Sequence, residues 1–402
     1  MTQRLRLLVG FVNQGVISLG TLLMLVFAAR GYSSEALGLF SVGVLTYQIL
    51  IVIFRALTGE TLIVLPRAGR REEKELAARC LQFSGTAPLA LIVPGVVGLL
   101  LTSGVWQVVC AALLIVPGLA LQDTLRHVYL RRKQVGVACA VDVLVVAAQL
   151  GIVWFGAGQD VPPWFLILLL GVPTLLIGYF RSFLDRAGVS VSGSREWRRS
   201  SRELGDGFVF EAGLGAFVQW LTLLSVAHFG SLPEAAAFRA VITIYGVTNV
   251  VTNFLRSHYL SQLAHGGELD RARMRRSTVE MVALTGGTVL FSYGVLELLP
   301  ESLGEELLGE TWMLAVPYLL LGAINRFAAG LTSVPAVFLR VLRMPWDAAR
   351  TRILISVVTL IAAPLSVAVG GATAAFVTMS IMSLVMVLAL SRVIVRGRKK
   401  RE

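Results

Sequence analysis

The chain of 402 residues is too apolar for a soluble globular protein, because 56% of its residues are hydrophobic and only 15% are charged, against about 25% charged residues in soluble domains. Its net charge of +12 does not indicate nucleic-acid binding, since the basic residues recur in alternate loops rather than in one patch. The three cysteines and four scattered histidines show neither a CxxC motif nor the spacing of metal ligands, so no cofactor or metal is predicted.

Twelve apolar stretches follow one another along the chain, each near the length of about 20 residues that crosses a bilayer as a helix. Prolines interrupt the third, fourth and tenth stretches, which membrane helices tolerate because neighbouring groups satisfy the freed carbonyls. The sequence therefore predicts an all-α polytopic membrane protein. The predicted spans lie near residues 7–29, 39–65, 82–101, 105–125, 135–155, 164–181, 208–229, 240–263, 277–299, 312–338, 351–369 and 372–392.

The distribution of basic residues predicts the orientation of these spans. Nearly all of the 36 Lys and Arg residues lie in one alternating set of segments, whereas the opposite set holds only Arg30 and Arg239. Because the positively charged loops of membrane proteins stay in the cytoplasm, we expect both termini there. Basic amphipathic stretches at 67–79 and 265–277 are predicted to form surface helices that contact the headgroups of membrane lipids.

The longest interruption is rich in Gly, Ser and Arg and is predicted to be a cytoplasmic linker over residues 182–207. It divides the chain into a six-helix bundle over 1–181 and a second bundle over 208–402, which ends in a basic tail. Six helices return the chain to its starting side, so the halves are expected to be related by a pseudo-two-fold axis along the membrane normal, as in the MOP/MATE type of fold.

Several residues recur about half the chain length later, which supports a duplicated fold. Gln48 and Arg55 in the second span correspond to Asn249 and Arg256 in the eighth. The further corresponding pairs are Pro117 with Pro317 and Arg126 with Arg326.

Three arginines lie inside predicted spans: Arg55, Arg256 and Arg326. Insertion of such a charge costs about 2.5–3.5 kcal/mol, which makes each a candidate functional residue. Helical spacing places Gln48 on the face of Arg55. The same spacing groups three further residues with Arg256 on one face: Tyr245, Asn249 and Asn253.

We expect these faces to line a cavity between the halves. Because guanidinium groups bind phosphate and carboxylate bidentately, the predicted substrate is an anion. An alternative stays open, in which each arginine pairs with a buried carboxylate and holds helices together. The carboxylates considered are those of Glu60, Asp142, Glu211 and Glu280. Glu60 is a poor partner for Arg55, since five residues place the two on different faces of one helix.

Three further residues are weaker candidates for substrate contacts. Arg30 lies on the outer side, where it either meets an anionic ligand or is a solvated loop charge. Arg126 lies near the cytoplasmic end of the fourth span, where its side chain is expected to extend to the interface. Glu60 follows Arg55 within the second span.

Two stretches carry a resemblance to a known family: ALGLFSVGVLTYQILIVIFRALTGETLIV at the GYSSEALG turn, and LQDTLRHVYLRRKQVGVACAVDVL. They are similar to the MOP (multidrug/oligosaccharidyl-lipid/polysaccharide) superfamily and, within it, to Wzx-type polysaccharide flippases. The resemblance implies an alternating-access transporter in the cytoplasmic membrane of a bacterium. It also implies a cationic cavity that takes the pyrophosphate and sugars of an undecaprenyl-linked oligosaccharide, with Arg55 and Arg256 at the matching positions.

The same resemblance implies polysaccharide polymerases and glycosyltransferases as pathway partners. The chain has no Walker motif, so an ion gradient or the membrane potential is the expected energy source. Twelve spans would leave out the two extra helices of the lipid II flippase branch.

Three alternatives remain from the sequence alone. A MATE-type cation-coupled multidrug exporter has the same fold, and would need an essential carboxylate in the first or seventh span, where this chain offers Glu211. An integral-membrane polymerase or glycosyltransferase would need a large outer loop, which this chain lacks. A membrane scaffold that transports nothing is the third.

Overall fold

The computed structural model describes most of the chain. Within the described residues every regular element is helical, and eight helices are long and apolar enough to cross a membrane. Two shorter apolar helices accompany them. The prediction of an all-α polytopic membrane protein is confirmed. The described residues are 16, 19–65, 69–184, 191–246, 248–249, 251–252, 255–256, 259, 263, 271–342 and 344–399.

The chain divides into two compact units, Met1–Trp220 and Leu221–Glu402. The first unit contains six apolar helices in the order of the predicted spans. They are α1 (Leu19–Gly31), α2 (Ser34–Val64), α3 (Arg71–Leu101), α4 (Gly104–Arg131), α5 (Val135–Gly158) and α6 (Pro163–Leu184).

Helix α2 contains a five-residue π-helix, Ala56–Glu60, directly after Arg55. Such π-bulges are common at functional sites. The hydroxyl of Thr61 donates a 2.7 Å hydrogen bond to the carbonyl of Ala56, and the indole of Trp197 donates a 3.1 Å bond to the carbonyl of Leu57. Side chains therefore satisfy two carbonyls in the irregular turn.

The predicted linker contains a helix, Val191–Phe208, which we call the linker helix. Gly193, Trp197, Ser201 and Gly205 recur every fourth residue and are buried, so they form one face. This face packs on α3 and on the π-helix of α2. Gly and Ser therefore do not make this segment irregular. Their small side chains lie on the buried face and let the helix approach its neighbours closely around Trp197.

The second unit holds the other predicted spans, and α7 (Leu214–Phe229) crosses the boundary between the units. Helix α8 (Leu232–Tyr245) ends at Gly246, and the described helical positions 248–249, 251–252, 255–256, 259 and 263 that follow are grouped with α8. The element Pro345–Lys399 is broken at Gly370 and Gly371, giving α11 before the break and α12 after it. The remaining apolar helices are α9 (Arg271–Glu297) and α10 (Thr311–Val341).

Three helices begin earlier than the hydropathy pattern predicts. The basic residues at the starts of α3 and α9 lie on the same helices as the apolar spans. Contact of the stretches 67–79 and 265–277 with lipid headgroups stays a prediction. Helix α8 begins at Leu232, where the hydroxyl of Ser231 accepts a hydrogen bond from the amide of Glu234. This N-cap and Pro233 in the first turn start a helix where the sequence predicted an outer loop.

Prolines shape the third and tenth spans as expected. Pro88 lies in the 3₁₀ segment Ala87–Leu91 of α3, and Pro317 lies in the 3₁₀ segment Val316–Tyr318 of α10. A 3₁₀ turn bonds each amide to a nearer carbonyl than an α-helix does. Both spans therefore pass their prolines without ending.

Candidate functional site

Arg55 forms an ion pair that the sequence analysis did not consider. Its Nε and Nη2 donate hydrogen bonds of 3.0 and 2.7 Å to the two carboxylate oxygens of Asp123 in α4. The Asp123 side chain is 8% exposed and that of Arg55 is 34% exposed. A bidentate bond of this kind is strong and fixes the plane of the guanidinium. The open alternative, in which Arg55 pairs with a buried carboxylate, therefore describes this contact, with Asp123 as the acid.

The turn after Arg55 lies against α4 at very short range. An added Cβ at Gly59 would stand 2.4 Å from the ring carbon Cγ of His127, closer than real Cβ contacts. His127 Nδ1 is 2.7 Å from the backbone oxygen of Asp123, and the hydroxyls of Thr58 and Thr124 are 3.0 Å apart. Because only glycine fits at position 59, the residue type itself sets the contact between α2 and α4.

Arg126 takes part in a second arginine–aspartate pair. Its Nε is 3.0 Å from an oxygen of Asp142 in α5, a carboxylate that is 4% exposed. Gln122 donates a 2.9 Å hydrogen bond to the other carboxylate oxygen. The expectation that Arg126 extends to the interface is wrong, because the buried acid holds it among the helices.

Arg326 in α10 has a different environment. Its Nε donates a 2.8 Å hydrogen bond to the hydroxyl of Thr248 in α8. The side chain is partly buried, and within the described part of the chain no carboxylate contacts it. A partly buried guanidinium bonded to a neutral hydroxyl keeps its full charge for a ligand.

The other predicted residues of α8 do not share one environment. Tyr245 is buried, and its hydroxyl donates a 3.1 Å hydrogen bond to the carbonyl of Leu319, which ties α8 to α10. Asn249 is exposed and Arg256 is partly buried. Asn253 lies outside the described residues. A role of these residues in binding substrate stays a prediction.

The remaining candidates lie in the first unit. Gln48 and Glu60 are both partly buried in α2, Glu60 in the last position of the π-helix. Arg30 is exposed at the end of α1 and lines an open groove with Phe27 and Trp154. Their roles in binding stay predictions as well.

Comparisons with known proteins place the fold. No protein-family model matches the chain, and no curated protein matches it significantly. A solved structure of the lipid II flippase MurJ in an inward-closed conformation is similar with a TM-score of 0.73 and 11% identity, covering 98% of this chain and 87% of MurJ. An inward-facing MATE-family multidrug resistance transporter of the MOP superfamily is similar with a TM-score of 0.67 and 12% identity, covering 95% of this chain and 94% of that one.

The chain has the fold that MurJ and this MATE-family protein share. The fold hosts both a flippase and a multidrug transporter, so the substrate has to be argued from the residues of this chain. The two units differ in the partners of their arginines. In the first unit two arginines are neutralised by aspartates, whereas in the second unit Arg326 contacts a hydroxyl.

The residues that the sequence analysis missed are Asp123 and Gln122. One signal was available: the sequence Gln122-Asp123-Thr124-Leu125-Arg126 places three polar groups within the apolar fourth span. Polar groups inside a span face protein rather than lipid. Which helix each of them faces could not be derived without the packing of α4 between α2 and α5.

Proposed function

We propose that this chain is an alternating-access flippase that moves an anionic, undecaprenyl-pyrophosphate-linked oligosaccharide across the cytoplasmic membrane of a bacterium. The oligosaccharide would be a precursor of a cell-surface polysaccharide, and the chain would act without catalysing a reaction. Glycosyltransferases would supply the lipid-linked substrate on the cytoplasmic side and a polymerase would consume it on the other. Both termini would lie in the cytoplasm.

The environment of Arg326 is the observation that carries this proposal. A charged arginine in the middle of a span is costly, and a carboxylate that would offset this cost is missing from its described surroundings. An anionic substrate supplies the missing charge when it binds. Pyrophosphate suits this role, because its oxygens match the bidentate donors of guanidinium.

The fold similarity to MurJ supports transport of a lipid-linked substrate without identifying its glycan. An ion gradient or the membrane potential would provide the energy. In a membrane potential of 100 mV, moving one elementary charge is worth about 2.3 kcal/mol. The negative interior of the cell would therefore favour outward movement of an anion.

A depletion experiment tests the proposal. When the chain is depleted, we expect a lipid-linked oligosaccharide to accumulate on the cytoplasmic leaflet while surface glycan falls. The intermediate is measured by extraction of lipids and mass spectrometry, and its leaflet by accessibility to a membrane-impermeant oxidant of sugars. Normal surface glycan with no accumulated intermediate would contradict the proposal.

The second candidate is a MATE-type cation-coupled multidrug exporter, favoured by the similarity over 94% of the length of a MATE transporter. A cation exporter needs a carboxylate that its substrate or coupling ion can reach. The two aspartates described in contact with intramembrane arginines, Asp123 and Asp142, are both buried and paired. We therefore expect cells that overproduce the chain to accumulate as much ethidium as control cells, and a clear reduction would favour the multidrug alternative.

A further inference from the structure

We propose that the oxyanion-binding site is built in the second unit alone, with the two terminal nitrogens of Arg326 as the anion donors and Thr248 as the residue that orients them. The arginines of the first unit are then structural. This inference rests on the proposed function and adds to it where the phosphate-type group binds and why the duplicated halves differ.

Two arginines that lie among the helices of the first unit already have acidic partners. Arg55 and Arg126 each have a buried aspartate within 3.0 Å. Both aspartates are less than a tenth exposed. A guanidinium that already binds a carboxylate must give up that contact before it binds a phosphate. The acid left behind would be buried without a partner, which is strongly unfavourable.

In the second unit the corresponding positions are apolar. Arg126 and Arg326 correspond in the repeat. The same offset takes Asp142, the partner of Arg126, to Leu342, and takes Asp123 to Ala323, which is 6% exposed in α10. The second half has therefore kept the arginine but holds apolar side chains where the first half holds its two acids.

The surrounding helices supply no replacement acid in their described residues. Helix α10 contains no Asp or Glu, and the long element Pro345–Lys399 contains only Asp347, which is exposed near its start. The carboxylate of Glu234 accepts hydrogen bonds from the hydroxyl of Tyr318 and the amide of Ala372, and that of Glu280 pairs with Arg276. These two carboxylates are thus engaged elsewhere.

Glycines flank Arg326 where α10 packs against its neighbours. Gly322, Arg326 and Gly330 recur every fourth residue on one face of α10. An added Cβ at Gly322 would stand 2.2 Å from Val241 of α8, and one at Gly330 would stand 2.6 Å from Thr285 of α9. The two glycines therefore bring α8 and α9 close to α10 one turn before and one turn after Arg326, whose side chain is partly buried.

Thr248 orients the guanidinium of Arg326. It accepts the 2.8 Å bond from Nε and is itself buried, with its hydroxyl donating a 2.6 Å bond to the carbonyl of Tyr245. No acceptor for Nη1 or Nη2 of Arg326 lies among the described residues. These two nitrogens form the fork that fits a phosphate or carboxylate edge in a bidentate manner. The ligand class is therefore an oxyanion of the phosphate type.

The test measures binding of inorganic pyrophosphate to the purified full-length chain in phosphatidylcholine nanodiscs by isothermal titration calorimetry. Arg326→Gln removes the charge and should weaken binding about tenfold or more, as expected for a lost charge-assisted hydrogen bond. Arg326→Lys keeps the charge but loses the two-nitrogen fork, so its affinity for pyrophosphate should lie between those of the wild type and Arg326→Gln. The matched control is Arg276→Gln, an exposed arginine of the same unit, which should bind like the wild type.

A second pair of variants tests the asymmetry between the halves. Ala323→Asp places a carboxylate three residues before Arg326 on α10, within reach of its guanidinium, and should weaken pyrophosphate binding about tenfold. Ala323→Asn, which has the same size without charge, should not. Elution from size-exclusion chromatography shows whether each variant is folded, so the comparison uses folded protein only.

A membrane phosphate is the other source of the same chemistry. Nanodiscs that contain phosphatidylglycerol distinguish it, because a bound lipid phosphate would lower the apparent pyrophosphate affinity of the wild type and leave that of Arg326→Gln unchanged. Unchanged wild-type affinity would identify the site as one for a substrate headgroup. Equal affinity of wild type and both Arg326 variants would overturn the inference. A lipid-linked sugar could still accumulate on depletion in that case. Failure of the Arg326 site can therefore be distinguished from failure of the proposed flippase function.

Discussion

Asp123 is the residue that decides what Arg55 does. A carboxylate with 8% exposure bonded to both ends of a guanidinium holds α2 and α4 together through their charges. Breaking a buried pair by removing one partner is costly, because the other charge loses its compensation.

We therefore predict that Asp123→Ala lowers the free energy of unfolding by about 2–3 kcal/mol, reduced from the fully buried case because Arg55 retains some contact with solvent. Thermal unfolding in detergent, followed by tryptophan fluorescence, measures the change. Glu75→Ala serves as the control, since it removes an exposed pair with Arg71 and should cost less than about 0.5 kcal/mol. Equal effects of the two substitutions would show that the buried pair contributes no more than a surface pair.

Gly59 makes a second prediction at this scale. An alanine there would place its Cβ 2.4 Å from the ring of His127, so Gly59→Ala should destabilise the chain by about 1–3 kcal/mol, as overpacking does. Gly151→Ala in α5 is the matched control, because open space surrounds that helical glycine and alanine is the better helix former.

The double variant Gly59→Ala/His127→Ala identifies the cause of the Gly59 effect. If the clash with the ring is the cause, removing the ring should cost less in the alanine background than in the wild type. The comparison is a double-mutant cycle measured by the same unfolding assay. Purely additive effects would contradict the contact between α2 and α4.

Among the helices, the linker helix is the element whose role changed most from sequence to structure. It connects the two units along the chain, and its Trp197 is buried against the π-helix that follows Arg55. Any displacement of the linker helix would therefore alter the turn that carries this arginine.

We predict that Trp197→Phe, which keeps an aromatic ring but loses the bond to the Leu57 carbonyl, lowers the free energy of unfolding by about 1–2 kcal/mol. Trp197→Ala should cost about 3–5 kcal/mol because it also leaves a cavity. Trp346→Phe is the control, since Trp346 is exposed and should change little. An effect of Trp197→Phe no larger than that of the control would argue against the hydrogen bond to the π-helix.

The helical type of the spans could be predicted from the sequence, because a bilayer allows few ways to satisfy backbone polar groups and long apolar runs must be helical. The intramembrane arginines stood out for the same reason. The pairing could not be predicted, because Asp123 and Asp142 lie on other helices than Arg55 and Arg126, and side-chain contacts between helices depend on how the helices pack. Asp142 was considered as a buried partner, whereas Asp123 was not. The linker helix was missed because Gly and Ser were interpreted as loop formers, although Gly193, Trp197 and Ser201 already had helical spacing.

At the scale of the whole molecule, the sequence suggested two equivalent halves, and each unit described by itself shows where they differ. The first unit contains two neutralised arginines, and the second contains Arg326 without a described acid. A duplicated fold can divide its tasks in this way, with one half stabilised by ion pairs and the other retaining an unmatched positive charge. Replacing Arg326 in the second unit should therefore slow transport more than replacing an arginine of the first unit. The variants are compared at equal protein level.

We propose that the chain moves a lipid-linked glycan whose oxyanion binds Arg326. The most direct measurement is transport in proteoliposomes that contain a fluorescent prenyl-pyrophosphate-linked oligosaccharide, with a membrane-impermeant quencher reporting the fraction in each leaflet. We predict that wild type and Arg276→Gln equilibrate the lipid between leaflets, and that Arg326→Gln slows this by about tenfold or more. Transport by Arg326→Gln at the wild-type rate, or none by the wild type, would contradict the account.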